Sequence, residues 1–492
     1  MKQKFPDMAA RFGMDPAGLK ALTDEALAGG GDWCDLFFED TCSATFILHD
    51  NKVTNSNLNI DYGCGIRVLS GEKTGYAYAE STEPSALREA ARCAGAIANG
   101  HCVAAKPLKF SKISTSFPRQ IAGEDLYQLP LNQQDSRHAT TDWRIAEASA
   151  MVKALQELDR IIHSKDSRVH KVIATLSWTV SDILMYNSLG ECTADSRPCG
   201  SVNVTTIFEQ GGKTETTTAS RSFRLGAEMI TPALLEDLAV QSTEGIDERF
   251  EARRPKGGKM PVVMAAGASG ILLHEAMGHA FEADFIRKGQ SIFSDKAGKR
   301  VARSGVNIVD DGTIPGNRGA CLYDDEGVPG QRTVMVEDGI LRSFLHDRIS
   351  AAHFGTAPTG NGRRESFRYH PIPRMRCTYM ESGPDGTVQD LIASVKKGIY
   401  VDQFANGQVK IGEGDFTFYV KSGRLIENGR LTMPVKDINI VGNGPRALAD
   451  IVAVAGDLKI DDSTWTCGKE QSVPVSCGTP SILVNKLTVG GE

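Results

Sequence analysis

Residues 269–286, SGILLHEAMGHAFEADFI, place His274, Glu275 and His279 in an HExxxH arrangement, followed by Glu282 and Asp284. Two imidazoles and a carboxylate are the groups a hydrolytic metal site uses, the rings to hold a divalent ion and the carboxylate to take a proton from water. In the shorter HExxH pattern the histidines stand at i and i+4, about 40° apart at 100° per residue, and can grip one ion. Here the second histidine is at i+5. A regular helix puts that pair about 140° apart, so the rings diverge. The metal reading therefore predicts a distorted helix. A π-bulge absorbs one extra residue, and Gly278, immediately before His279, is where the backbone loosens most easily. The competing reading makes His274 and His279 polar members of an amphipathic helix, with Glu275 solvated.

A hydrolytic zinc site takes about three protein ligands and keeps one position open for water. His274 and His279 supply two, and Glu275 is the natural general base. Glu282, Asp284, or a distant cysteine or histidine are the candidates for the third. Cys467 and Cys477 flank CGKEQSVPVSCG, in which Gly468 lets the chain turn at the first sulfur. Taken alone, Cys467 reads as a buried inert thiol.

The elements around these residues divide the 492-residue chain into two parts. Asp15-Pro16 opens a helix with an N-cap aspartate and a proline at its first position, stopped at Gly29 to Gly31. Two β-rich runs follow, with turns at Asp50-Asn51 and Ser70-Gly71, as in an antiparallel meander. A second helix is expected from Pro84 to about Ala98, capped by Thr82, and a third over 143–160. Residues 103–142 read as a crossing segment. Residues 169–223 return to strands, with a hairpin at Gly211-Gly212. A charged linker, EGIDERFEARRPKGGKM, follows, and the boundary is placed nearby: 1–235 an α+β domain of antiparallel strands and helices, 236–492 a β-rich domain that carries the motif helix. Turn signals at Asp338-Gly339, Ser422-Gly423 and Asn428-Gly429 suggest hairpins in a barrel or curved sheet.

Composition excludes several classes of function. The formal net charge is −6, with 55 Lys+Arg against 61 Asp+Glu, so nothing favours a nucleic-acid partner. The longest apolar stretch, 261–273, is broken by Gly267 and Gly270 and falls short of the ~20 residues of a spanning helix, so no membrane is expected. The start lacks the apolar core of a signal peptide. The 11 cysteines form no CxxC pair, which suits a reducing, cytoplasmic setting.

Four collinear segments are more specific than the motif alone: LHEAMGHAFEADF, VDDGTIPGNRGACLYDDEGVPGQRTVMVEDGIL, PTGNGRRESFRYHPIPRM and WTCGKEQSVPVSCGTPSILVNKLTVGG. Together they resemble the TldD/PmbA family of cytoplasmic metallopeptidases, on the TldD side. The resemblance implies zinc (Zn2+) held by His274, His279 and Cys467, with Glu275 activating water. It further implies cleavage of short or unfolded peptides held in extended form inside a dimer. That dimer is either a homodimer or a heterodimer with a PmbA (TldE)-like subunit that lacks the zinc motif. The chain departs from the family pattern at two places. Residues 374–379 read RMRCTY where RMTNTY is expected, so Arg376 and Cys377 replace a Thr-Asn pair. CGKEQSVPV is one glycine shorter than CGKEGQSVPV.

The loop 359–376 carries Arg363, Arg364, Arg368, Arg374, Arg376 and His370 among glycines and prolines. One reading is a cationic rim that anchors a peptide carboxylate or its carbonyls, with Arg363, Arg364, His370 and Arg374 as the substrate-binding candidates. The other pairs these arginines with Asp324, Asp325 and Glu326, or with a partner subunit. The function expected is a zinc peptidase. Its rival is a non-catalytic modulator subunit that has kept the motif without using it, and a redox role for Cys467 and Cys477 is disfavoured by the absence of CxxC.

Overall fold

The run WCDLFFE is apolar at nearly every position, as in a strand covered on both faces. In the computed structural model, which describes residues 5–100, 107–113, 129–131, 135–137, 141–410 and 413–491, that run opens the strand Trp33–His49. Most of the crossing segment expected over 103–142 lies outside the described residues. The strand sits third in a six-stranded antiparallel sheet ordered Lys73–Ala79, Lys52–Ser70, Trp33–His49, Val169–Asn187, Cys192–Gln210, Lys213–Phe223. The expected turns join it: Asp50 and Asn51 adopt φ 46° and 64°, and Gly211 and Gly212 adopt 56° and 75°, the left-handed pair of a tight hairpin.

Even-numbered residues of Trp33–His49 face a helix layer. Leu36 and Phe38 pack with Leu19 and Leu22 of the helix Pro16–Ala26 and with Leu87 and Ala91 of Pro84–Asn99. Ala44 and Phe46 pack with Leu155, Leu158 and Ile162 of Ala148–Lys165. Asp15 caps the first helix through Gly18 N–H, as expected, at 2.6 Å. The second helix has no side-chain cap: Glu83, not Thr82, stands at that position, and the Thr82 hydroxyl lies 2.9 Å from the Tyr62 hydroxyl instead. The third begins later than expected, at Ala148, because Trp143–Ile145 forms a separate 3-10 turn.

The opposite face of the sheet is covered by the C-terminal half. Phe37, Ile183 and Met185 pack on Phe367, and charged groups join across the seam. Arg67, fully buried, bonds Asp35 at 2.5 Å and Glu326 at 2.7 Å. Arg348 bonds Glu191 at 3.0 Å, and Arg197 bonds both Asp195 and Asp325.

In the C-terminal half, Gly258–Met264, Ile482–Val489, Asn439–Asn443, Asp415–Glu427 and Lys397–Lys410 pair in a closed ring, the expected barrel. Asn428-Gly429 turns between strands as expected, but Ser422-Gly423 does not. It lies inside Asp415–Glu427, near register shifts with the neighbouring strand. A Cβ at Gly423 would meet Tyr400 O at 2.5 Å, so this glycine serves close strand approach, not a turn. A second sheet runs Ile340–Leu341, Arg332–Glu337, Ile308–Asp311, Cys377–Met380, Ser476–Thr479, Lys459–Asp461. The motif segment is buried against both: Leu272, Met277 and Phe281 share one core with Val262, Ile399 and Phe416 of the ring and with Ile308 and Met380 of the sheet. No described helix is long and apolar enough to cross a membrane.

Candidate metal centre

The single helix expected over 269–286 is broken into short pieces, and the break answers the spacing problem. Ile271–Leu273 is α-helical, His274–Gly278 is a π-helix, His279–Phe281 is a 3-10 turn and Ala283–Arg287 is α-helical again. The His279 N–H donates to the His274 carbonyl, an i→i+5 bond that stacks the two histidines on one face. Their rings lie 5.1 Å apart at 83°. Gly278 does more than loosen the backbone, since a Cβ there would meet Met375 Sδ at 2.1 Å. Glu282 leaves the helix with φ −70° and ψ 122°, and the next N–H bonds Leu345 O at 2.9 Å. The turn therefore swings the Glu282 carboxylate back under His279.

Cys467 arrives on a two-stranded hairpin, Thr466–Lys469 paired with Gln471–Pro474. Its Sγ lies 3.2 Å from His279 Nε2. One ligand atom each from His274, His279 and Cys467 falls within 4.8 Å of the others, and all three residues are buried. His274 Nδ1 is buried without a hydrogen-bond partner, an orphaned donor atom of the kind a bound ion would use. Two imidazoles and a thiol are a donor set that suits zinc. The residues present fit such an ion.

The surroundings of this cluster are charged and closed. His279 Nδ1 lies 3.0 Å from Glu282 Oε2, leaving Nε2 for the sulfur side. Lys469 Nζ donates to Glu282 at 2.9 Å and to Asp284 at 2.8 Å. Arg374 donates to the Cys467 carbonyl at 2.6 Å and the Gln471 carbonyl at 2.8 Å. Burial would raise the Glu282 carboxyl, but the Lys469 charge, then His279, holds it down at about 2. Burial would lower His279, but Glu282, then Cys467, carries it up to about 10. Burial would raise the Cys467 thiol, and the two histidines overcome it, holding it well below its ordinary value. Glu275 is half-buried, with no hydrogen bond or ion pair to its carboxylate among the described residues.

The structure thus brings His274, His279 and Cys467 together, with Glu275 next to His274 in the π-helical turn. Of the other ligand candidates, Glu282 and Asp284 face Lys469, and Cys477 pairs in the second sheet beside Thr378. The arginine loop packs against the hairpin that carries Cys467. Arg363 is buried and donates to Met375 O at 2.5 Å and Pro474 O at 2.7 Å. Arg364 is buried between Asp35, Asp325 O and the Phe37 ring. Arg374 is fully buried on the hairpin carbonyls, and the His370 carbonyl accepts from Gln471 Nε2 at 2.7 Å. None of these three guanidinium groups is presented to solvent. The guanidinium groups pair with other acids than Asp324, Asp325 and Glu326: Arg364 with Asp35, and Arg368 with Asp61 and Glu80, while Asp325 and Asp324 accept from the backbone N–H of Arg364 and Gly362.

Lys469 went unnoticed in the sequence, although residues i and i+2 of a strand share a face, which places it beside Cys467. The shortened hairpin also has a structural consequence. Glu470 takes φ 56° at its tip, a left-handed conformation that a glycine would adopt without strain.

Three family profiles match the chain: PmbA/TldA metallopeptidase domain 1 over 34–98, the central domain over 137–245 and the C-terminal domain over 257–491. A metalloprotease TldD homolog of Haemophilus influenzae is 36% identical over 94% of this chain and 93% of that protein. A zinc metalloprotease TldD homolog of Saccharolobus solfataricus is 36% identical over 50% of this chain and 55% of that protein. Among solved structures, a Thermotoga maritima protein described as a candidate modulator of a DNA gyrase aligns with TM-score 0.73 at 21% identity, covering 99% and 100% of the two chains. TldE from Thermococcus kodakarensis aligns with TM-score 0.70 at 18% identity, covering 96% and 100%. These two likenesses concern the fold. Together with the near full-length sequence match, they lead to one conclusion: the chain belongs to the PmbA/TldD family of metallopeptidases.

Proposed function

We propose that this chain is the catalytic, zinc-dependent peptidase of its family, with His274, His279 and Cys467 as metal ligands and Glu275 as general base. The observation that carries the reading is the buried set of three ligand atoms within 4.8 Å, formed by a π-turn that also holds a glutamate with no hydrogen bond or ion pair to its carboxylate among the described residues. When bound there, zinc polarises the peptide carbonyl and lowers the pKa of water. Glu275 takes a proton from the attacking water as the new C–O bond forms, and returns it to the amine as the C–N bond breaks. Glu282 holds His279 in one tautomer and orientation. Lys469 offsets the buried charge of Glu282, and Arg374 fixes the backbone that carries Cys467. On this reading Arg364 and Arg374 hold the loop and the hairpin in place instead of touching substrate, with His370 beside them.

The substrate is a short or unfolded peptide bound in extended form, for which exposed strand edges offer backbone partners. The fold shared with a TldE supports assembly with a second copy or with a TldE-like subunit in the cytoplasm. Residues 1–235 then build the assembly and 236–492 hold the chemistry.

Glu275→Ala is expected to lower kcat on an unstructured peptide by about 10²- to 10⁴-fold while zinc content is unchanged. Cleavage at the wild-type rate would return the chain to the modulator reading. Cys467→Ala is expected to lose zinc on elemental analysis, and full zinc retention refutes the ligand assignment.

A further inference from the structure

A cavity of about 350 Å³ lies between the N-terminal sheet and the C-terminal half, on the far side of the hairpin from the metal cluster. Thr466, Ser472 and Pro474 line it, whereas Cys467, Lys469 and Val473 alternate to the other face. Its walls are rich in guanidinium groups. Arg197 and Arg364 have carboxylate partners in Asp195, Asp325 and Asp35. Arg224, Arg318, Arg363 and Arg376 have no carboxylate oxygen within 4.0 Å among the described residues. Arg224, Arg363 and Arg376 are buried, with exposures of 7%, 3% and 3%.

Main-chain carbonyls satisfy part of the hydrogen bonding. Arg224 donates to Arg318 O at 3.0 Å, Arg318 to Trp465 O at 2.9 Å, and Arg376 to Gly360 O at 2.6 Å. Neutral carbonyls do not balance charge, and a buried cation without a counter-ion costs several kcal/mol. The acidic groups supply only part of the balance, Asp325 acting on Arg363 and Arg376 from beyond ion-pair distance. Asp325 faces Arg197, Glu365 accepts from Ser472 N–H, and Glu39 accepts from the Thr41 hydroxyl and from Phe367 N–H. Burial, then the charge of Arg376, holds the Arg363 pKa well below its ordinary value. Both Nη groups of Arg224 and one of Arg376 donate to no described atom, and neither residue is among those with solvent-sealed, unpartnered nitrogens. These groups therefore face the cavity.

We propose that this cavity binds a carboxylate of the peptide substrate, through Arg224, Arg318, Arg363 and Arg376. The proposal rests on the peptidase reading above and adds a selectivity to it. The carboxylate is that of an acidic side chain or of a C-terminus.

Two measurements test it. First, zinc-loaded full-length protein is given peptides in which one Asp or Glu is moved along the chain, each beside its Asn or Gln counterpart, and peptides ending in an acid or an amide. One register is expected to favour the acid in kcat/KM by roughly 10- to 100-fold, with the preference reduced in the R224Q/R318Q double variant. The acid-amide pair separates a C-terminal from a side-chain source. Second, calorimetric titration of the metal-free chain with succinate is expected to saturate, with at least roughly tenfold weaker binding in the double variant. Equal cleavage of acid and neutral peptides at every position overturns the proposal and leaves the peptidase reading standing. Saturation by inorganic phosphate but not succinate overturns the carboxylate assignment. Succinate saturation with no peptide cleaved sinks the peptidase reading and supports the anion site. The wild-type comparisons stand even where the double variant fails to fold.

Discussion

The two faces of the hairpin Thr466–Lys469/Gln471–Pro474 treat buried charge in opposite ways. On the metal side, Asp284, Lys469, Glu282, His279 and Cys467 form a chain in which each charge meets its opposite within hydrogen-bond reach. On the cavity side, four guanidinium groups meet carbonyl oxygens, and Arg318 also the Cys199 sulfur and the Thr466 hydroxyl, with no carboxylate oxygen within 4.0 Å among the described residues. A compensated network holds its members in one geometry, which a metal ligand needs. An uncompensated one keeps its charge available for something that arrives. Glu275 belongs with the second kind, because its carboxylate has no hydrogen bond or ion pair among the described residues.

The comparison is broken most severely at Lys469. Lys469→Met leaves Glu282 and Asp284 buried without their shared cation, and such a loss costs about 3–5 kcal/mol. Chemical denaturation of the metal-free chain checks this, and a change below about 1 kcal/mol would mean that the network is not what holds the hairpin in place.

How much of this was legible in the sequence depends on range. The i, i+5 spacing of His274 and His279 is local, and it pointed to the π-turn that forms. Left-handed turns such as Asp50-Asn51 and Asp338 with Gly339 were legible for the same reason. Cys467 lies 188 residues from His279, and no local pattern joins them; only the family resemblance singled it out. Arg67 and Glu326, 259 residues apart, carry no signature at all. Ser422-Gly423 misled because a glycine chosen for strand contact has the same composition as one chosen for a turn. The arginine loop was ambiguous in a related way, since a cation-rich string does not show whether its side chains face solvent, a cavity or their own backbone.

The seam between the two halves offers a pH probe with a smaller effect. Burial, and then the Glu326 carboxylate, raises Asp324 from 3.8 to about 7. A carboxyl raised on folding binds its proton more tightly in the folded chain, so its contribution is full below about pH 4 and is lost as pH rises through about 7. Stability is expected to fall across that window by at most about 1.4 kcal/mol per pH unit from this group. Asp324→Asn should flatten that part of the curve in denaturation measured from pH 4.5 to 8. An unchanged slope would show that Asp324 is already ionised when folded, held by the Glu326, Val328 and Gly362 N–H groups that donate to it.

The smallest expected effect sharpens the comparison furthest. Arg224→Gln removes one of four like charges together with a hydrogen bond to Arg318 O, and these act in opposite directions. The lost bond costs about 1 kcal/mol, and relief of repulsion among the remaining arginines offsets it, so the variant should stay within about 1 kcal/mol of wild type. Lys469→Met, on the other face of the same hairpin, lies several-fold beyond that. Succinate should then change the ranking, because a ligand that binds the folded state stabilises in proportion to its affinity. Thermal unfolding at rising succinate is expected to favour wild type over Arg224→Gln progressively, starting from near equality. If Arg224→Gln is instead as damaging as Lys469→Met without any anion, the cavity arginines are structural, and the two faces of the hairpin handle charge alike.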